Sequence, residues 1–340
     1  AGPNNRQPQG TAPAWPVLRA TLQQPLTHLA VATPDKYVLL GRPIAEEEAP
    51  VDREQTILMD ELATTTGWTT GTIVENGVVA GTMVSNGNAF VVQDYGTGTK
   101  WHGPALKKSL SEPLQDFRVT VRLKVINSVK RFGRGDVYLL DANGAVIGQM
   151  SIRDHWAGYY NMWAELRAGP LEPGGVSIID EHGSRAGVWN QFDGIVQLTR
   201  IGQTWEAYVA MVDPQTGRHH TRARKQWIDK SNQYQAPLAQ VQVHAGAYGT
   251  YEPCEVTFDW VKVEKINTVQ AAQVPYIAYP GDVLEIDCER HAVYRNGEPR
   301  LDLLDPGSQF FALEPGQPVA LGVTPEGVAT VELTYRERWL

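Results

Sequence analysis

The sequence predicts an all-β protein, a jelly-roll sandwich set into an outer β-domain, with one short helix. Three observations carry this. Apolar residues recur with period two over most of the chain, as they do in strands with one buried face. Gly (32) and Pro (22) are frequent without a fixed repeat, which fits strands punctuated by turns and excludes collagen-like and repeat architectures. Trp (10) and Tyr (13) are plentiful and favour half-buried pleated surfaces.

With 340 residues and 42% hydrophobic content the chain can fill two or three compact domains. Residues 1–16, AGPNNRQPQGTAPAWP, read as a linker or arm. The pieces VLRATLQ, LTHLAVA and KYVLLGRP make 17–45 the first part of the outer β-domain. Over 46–67 the run EEEAPVDREQTILMDELATTTG predicts a helical connection. Acids precede and enter the first turn, Ile57, Leu58 and Leu62 lie at helical spacing, and Gly67 ends it.

From residue 68 to 268 the period is two. GTIVENGVVAGTMVSNGNAFVVQ has turns at Asn76-Gly77 and Asn86-Gly87, and FRVTVRLKVI alternates throughout. DVYLLDANGAVIGQMSI is a hairpin about Asn143-Gly144, and GIVQLTRIGQTWEAYVAMVD is another about Gly202. LAQVQVHAGAYG and VTFDWVKVEKI complete a set of many short-turned strands, the pattern of a jelly-roll sandwich. The remainder, 269–340, is short for an independent sandwich. It is expected to share a core with the strands before residue 45, which makes the middle an insertion into the outer domain.

The charge of -8 and the lack of a long Lys/Arg block argue against nucleic acid as a partner. The densest basic run, Arg218 to Lys225, reads as a solvated hairpin or an acid-pairing patch rather than a phosphate-binding site. No stretch reaches the roughly 18 apolar residues of a membrane span, and no signal peptide is visible. The chain opens on Ala1 rather than Met, as a fragment of a longer protein would. Cys254 and Cys288 fall in different expected domains and read as buried, unlinked thiols.

The closing segment GDVLEIDCERHAVYRNGEPRLDLLDPGSQFFALEPGQPVALGVTPEGVATVELTYRERWL resembles the end of the distal tail proteins of long-tailed bacteriophages. The resemblance is carried by Gly281, Asp282, Ile286 and Asp287, by Asn296-Gly297, by Leu313 with Pro315-Gly316, and by Tyr335, Arg336, Arg338, Trp339 and Leu340. PDKYVLLGRPIAEEEAPVDREQTILMDELATTTGW resembles the entry into an inserted module in some of those proteins. The family's ring-forming belt strands are not identifiable before residue 45. The resemblance implies a structural component of a siphovirus tail tip or baseplate, located in the virion, that forms a ring with itself and joins the tail tube to tail-tip proteins. It implies no cofactor.

VTFDWVKVEKI and IVQLTRIGQTWEAYVAM are similar to strands of concanavalin-like jelly rolls, many of which bind glycans. Sugar binding needs flat aromatic faces and polar groups for hydroxyls. The best candidate stretch is DHWAGYYNMWAELRAG, with Trp156, Tyr159, Tyr160 and Trp163; the alternative is that these rings pack a core and its loops. Trp189, Trp227, Tyr248 and Tyr251 are weaker candidates. A host cell-wall glycan is the implied ligand.

Catalysis is not expected. A glycosidase needs two carboxylates aimed at one bond, and no E-x-D-x-x-E run occurs. Asp180-Glu181 and Glu46 to Glu48 read as solvated acids. Nothing in the spacing of Asp180, His182 and Ser184 supports a triad, His219-His220 lacks the spacing of a metal site, and there is no phosphate loop. Two rival readings stay open: a secreted bacterial jelly-roll protein that binds or cleaves glycans, and a tail scaffold with no sugar site.

Overall fold

A computed structural model describes residues 7–154, 156, 158–181 and 187–340. They form two compact units. One comprises the described residues of 1–53, 213–219 and 268–340, and the other those of 54–212 and 220–267.

The first unit is built on a five-stranded antiparallel sheet. Its order is Glu298–Pro299, Ala292–Arg295, Val283–Asp287, Val17–Leu22 and Ala329–Thr334. Val17–Leu22 is an interior strand, with Leu18 opposite Ile286 on one side and Leu333 on the other. Its alternation turns Leu18, Ala20 and Leu22 inward onto Leu284, Ile286 and Val293. A second sheet, Gly322–Thr324, His28–Ala32 and Tyr37–Gly41, adds Leu29, Val31, Val38 and Leu40 to the same core. The turn between Ala292–Arg295 and Glu298–Pro299 has left-handed φ at Asn296 (52°) and Gly297 (82°), the pair that a tight hairpin requires. In this unit Arg218 reaches Glu285 at 2.7 Å and Asp287 at 2.8 Å. Residues 7–16 are not a loose linker. Ala12 and Ala14 are buried, and they bridge to Arg338 and Leu313.

The second unit is a sandwich of a nine-stranded and an eight-stranded sheet. Gly133–Leu140 pairs with Val146–Asp154 and Leu238–Tyr248 in the first sheet. Phe117–Ile126 pairs with Phe192–Ile201 and Glu255–Ile266 in the second. Val119, Val121 and Leu123 from one sheet share a core with Val137, Leu139 and Val243 from the other, around fully buried Phe90, Phe258, Trp189 and Trp205. Hairpins turn at Asn86-Gly87, Asn143-Gly144 and Gly202, whereas after Asn76-Gly77 the chain pairs in parallel with Trp101–Gly103.

The helix expected over 46–67 is replaced by strands. Ala49–Val51 pairs with Gln273–Pro275, and Glu54–Asp60 pairs with Glu255–Ile266. Isolated helices of this length are marginal, while the sheet edge satisfies the backbone directly and covers part of Ile57 and Leu58. Leu62, fully buried, has φ of 55°, which no α-helix allows. Asp60 fixes this corner by accepting from Leu62 N at 2.9 Å and Trp68 Nε1 at 2.9 Å. Among the described residues the helical structure is one short turn, Leu301–Leu303.

Cys254 and Cys288 are buried and unlinked. Burial pushes the Cys254 thiol up to about 12 and the Cys288 thiol up to about 11, so neither is a nucleophile at neutral pH. An aromatic disulfide reagent is therefore expected to titrate no thiol in the native chain and both after guanidinium unfolding. A fast-reacting native thiol would contradict this burial.

Candidate functional site

One end of the nine-stranded sheet gathers exposed aromatic side chains. Val146–Asp154 and Met162–Ala168 are antiparallel neighbours, and the segment between them carries three of the four predicted rings. Trp156 is 57% exposed, Tyr159 66% and Tyr160 45%. Trp163 lies one step inside the strand, half-buried and opposite Arg153. The structure thus brings Trp156, Tyr159 and Tyr160 together on one loop and sets Trp163 at its foot.

The foot is held by amides as well as by the buried Met162. Asn190 Oδ1 accepts from Met162 N at 2.8 Å and from Asn127 Nδ2 at 3.0 Å, while Asn190 Nδ2 donates to the Tyr160 carbonyl at 3.0 Å. Asn161 Oδ1 accepts from Gly187 N at 2.9 Å. Trp189, a weaker candidate from the sequence, is wholly buried and belongs to the core. Trp227 lies on an edge strand and packs at a tilt against Tyr234.

A second aromatic cluster occupies the same sheet end. Trp101 stacks on Phe132 at 5.3 Å and meets Tyr248 edge-on at 5.2 Å; Tyr251, 51% exposed, meets Phe132 at 5.6 Å. The Arg134 guanidinium lies 4.4 Å from the Trp101 ring centre. Tyr248 and Tyr251 were candidates from the sequence, whereas Trp101, a lone aromatic in a short strand, and Phe132, just ahead of one, carry no such signal.

Between these clusters and the far end of the sheet, the face turned away from the core is polar yet buried. Arg134, Asp136, Tyr138, Glu165, Arg167, Gln242 and His244 are each less than a tenth exposed. The segment Thr72 to Val79 crosses over them. Gln242 Oε1 accepts from Thr72 N at 2.8 Å, Arg134 Nη2 donates to the Glu75 carbonyl at 2.9 Å, and the Glu75 carboxylate takes Arg167 and, at 2.7 Å, Leu171 N. Gly77 lets this segment lie close, since a Cβ there would run into the Trp101 carbonyl. Glu75, Asp136 and Glu165 offset Arg134, Arg153 and Arg167, so the buried charges are paired.

His244 Nδ1 is 2.8 Å from Asp136 Oδ2. Burial holds the imidazole below its usual 6.5 despite the carboxylate beside it. Burial opposes charge on Asp136 as well, but Arg134, His244 and Ser151 together keep its carboxyl well below the usual range. Glu181 is not a solvated acid as expected: it is buried beside Lys225 at 3.1 Å. His182 and Ser184 lie outside the described residues. Among the described residues no cluster of His, Cys, Asp and Glu is arranged to hold a metal, and no helix is long and apolar enough to cross a membrane.

Residues 245–339 match the family model described as siphovirus-type tail component, C-terminal domain. The match begins in the last strands of the sandwich and runs on through the closing strands of the first unit. Among solved structures, the CBM2 module of the evolved Dit of Lactobacillus casei BL23 phage J-1 is similar at 12% identity and a TM-score of 0.54, over 65% of this chain and 100% of that one. At this identity the likeness speaks for the fold alone. The laminarinase from Rhodothermus marinus aligns at 9% identity and a TM-score of 0.43, over 63% of this chain and 98% of that one, too distant to carry a conclusion. No curated protein sequence matches the chain.

The buried His244 sets a direction for pH dependence. Its folded value is below its unfolded one, so the unfolded chain takes up the proton first as pH falls. The stability it contributes is complete above about 6.5 and declines below that value. Asp136 acts with the same sign at lower pH. Scanning calorimetry at pH 7.5 and 5.5 is expected to show the sandwich melting earlier at the lower pH, with a smaller difference in His244→Gln. An equal difference in both chains would remove His244 from this role.

Proposed function

We propose that this chain is a hub component at the distal end of a long-tailed phage tail, where it links tail tube to tip and uses its sandwich to contact glycan on the host surface. The match of residues 245–339 to the siphovirus-type tail-component model supports the first half of this reading. The exposed trio Trp156, Tyr159 and Tyr160, held on an amide-pinned loop, is the observation that carries the second half. Exposed rings fixed at their base can stack on sugar faces without a large ordering cost. The sandwich likeness to a module named CBM2 in another phage's Dit agrees with that use.

A single such site binds weakly, with a Kd on the order of 1 mM if it yields about 4 kcal/mol. Copies in a ring would make such contacts effective together, through the high local concentration of the second and later sites once the first is bound. Hydrolysis is not part of the proposal. Asp136 and Glu165, two buried acids on the outer face of the nine-stranded sheet, are each engaged by arginine. Neither is presented to a glycosidic bond as a retaining or inverting pair must be.

The double variant Trp156→Ala/Tyr160→Ala removes two exposed rings. It is expected to keep the wild-type melting temperature and to lose co-sedimentation with purified host cell walls, by tenfold or more if each ring contributes about 1 kcal/mol. Unchanged co-sedimentation by a folded double variant would reject the adhesive role and favour a scaffold that carries no sugar site.

A further inference from the structure

We infer that exposed Tyr251, backed by the ring cluster of Phe132, Trp101 and Tyr248, is a second sugar subsite on the same sheet end, so that the ligand is a linear glycan read over several units rather than a terminal sugar. This rests on the reading of Trp156, Tyr159 and Tyr160 as a glycan contact.

The sheet register carries the argument. Trp163 is opposite Arg153, Arg153 opposite Arg134, and Arg134 opposite Gly246. Two residues further along, Tyr248 is opposite Trp101. The strands of Trp163 and Trp101 are therefore separated by four neighbouring steps along the order Met162–Ala168, Val146–Asp154, Gly133–Leu140, Leu238–Tyr248, Trp101–Gly103. At roughly 4.8 Å per step this is about 19 Å. That span exceeds one sugar ring and suits several in a row.

Both ends of this row have the chemistry a glycan needs. The loop end offers its three exposed rings. The other end offers Tyr251, half-exposed and braced edge-on by Phe132, with Trp101 stacked behind it. Next to Tyr251 is Glu252, whose exposed carboxylate accepts from Arg131 Nε at 3.2 Å and has capacity left for a sugar hydroxyl. The ring cluster contributes to none of the three hydrophobic clusters, so its aromatic density is not explained by the packing of the sandwich. The charged groups nearby are paired, which favours an uncharged chain over an anionic one.

The test is calorimetric titration of the full chain with two-unit and six-unit fragments prepared from the host's own cell-wall polysaccharide. The six-unit fragment is expected to bind about tenfold tighter than the two-unit fragment, the gain of one well-stacked ring. Tyr251→Ala is expected to erase that gain and leave two-unit binding unchanged, and Tyr251→Phe, which keeps the ring, to retain it. Trp156→Ala should weaken both fragments. If both lengths bind wild type equally, or if folded Tyr251→Ala binds the six-unit fragment as wild type does, the second subsite is rejected while the loop contact stands. If wild type binds neither fragment, both readings are rejected.

Discussion

Strand Val17–Leu22 is paired on both edges by strands that the chain reaches only near its end, Val283–Asp287 and Ala329–Thr334. The outer unit cannot complete its main sheet without them. Closing so long a loop costs entropy that grows slowly with length but must be met before the pairing stabilises anything. The intervening residues therefore need a core of their own, and 54–212 with 220–267 have one, filled from two large sheets. The hydrophobic set Leu18, Ala20 and Leu22 carries the demand at the level of side chains: a one-residue slip of this strand would turn all three to the wrong face.

Within the sandwich a second constraint shapes the surface left for function. The nine-stranded sheet carries arginines and carboxylates on the face opposite its core, and that face is buried. Buried charges persist only when paired and hydrogen-bonded. The segment bearing Glu75 completes the pairing and covers the middle of the sheet. What remains open is the sheet end, where loops hold aromatic rings on amide and aromatic supports. The covered face and the exposed end are two results of one arrangement.

The strands were the most legible part of the sequence. FRVTVRLKVI became Phe117–Ile126 because its alternation matches a half-buried strand in the middle of a sheet, and Asn143-Gly144 turned a hairpin because it tolerates the required dihedrals. The segment 46–67 misled because its acids and apolar spacing fit a helix, while the deciding influence, a free sheet edge more than 190 residues away, is tertiary. The aromatic loop was visible because its rings are dense in sequence. The cluster around Trp101 was not, since its rings come from two separate strands, the residue before a third and the turn after Tyr248. The charged face was equally hidden: Arg134 and Asp136 alternate as solvent-facing residues do, and the segment bearing Glu75 that caps Arg134 and Arg167 is distant from both in sequence. The basic run Arg218 to Lys225 did pair with acids, at Glu285, Asp287, Glu206 and Glu181.

The central claim is that this chain acts at the far end of a phage tail and that its sandwich touches the host. The most direct test is negative-stain electron microscopy of virions decorated with Fab fragments raised against the sandwich, combined with an adsorption assay on the same particles. The account predicts label at the distal end of the tail and blocked adsorption. Label elsewhere on the particle, or label at the tip with adsorption unchanged, would contradict it.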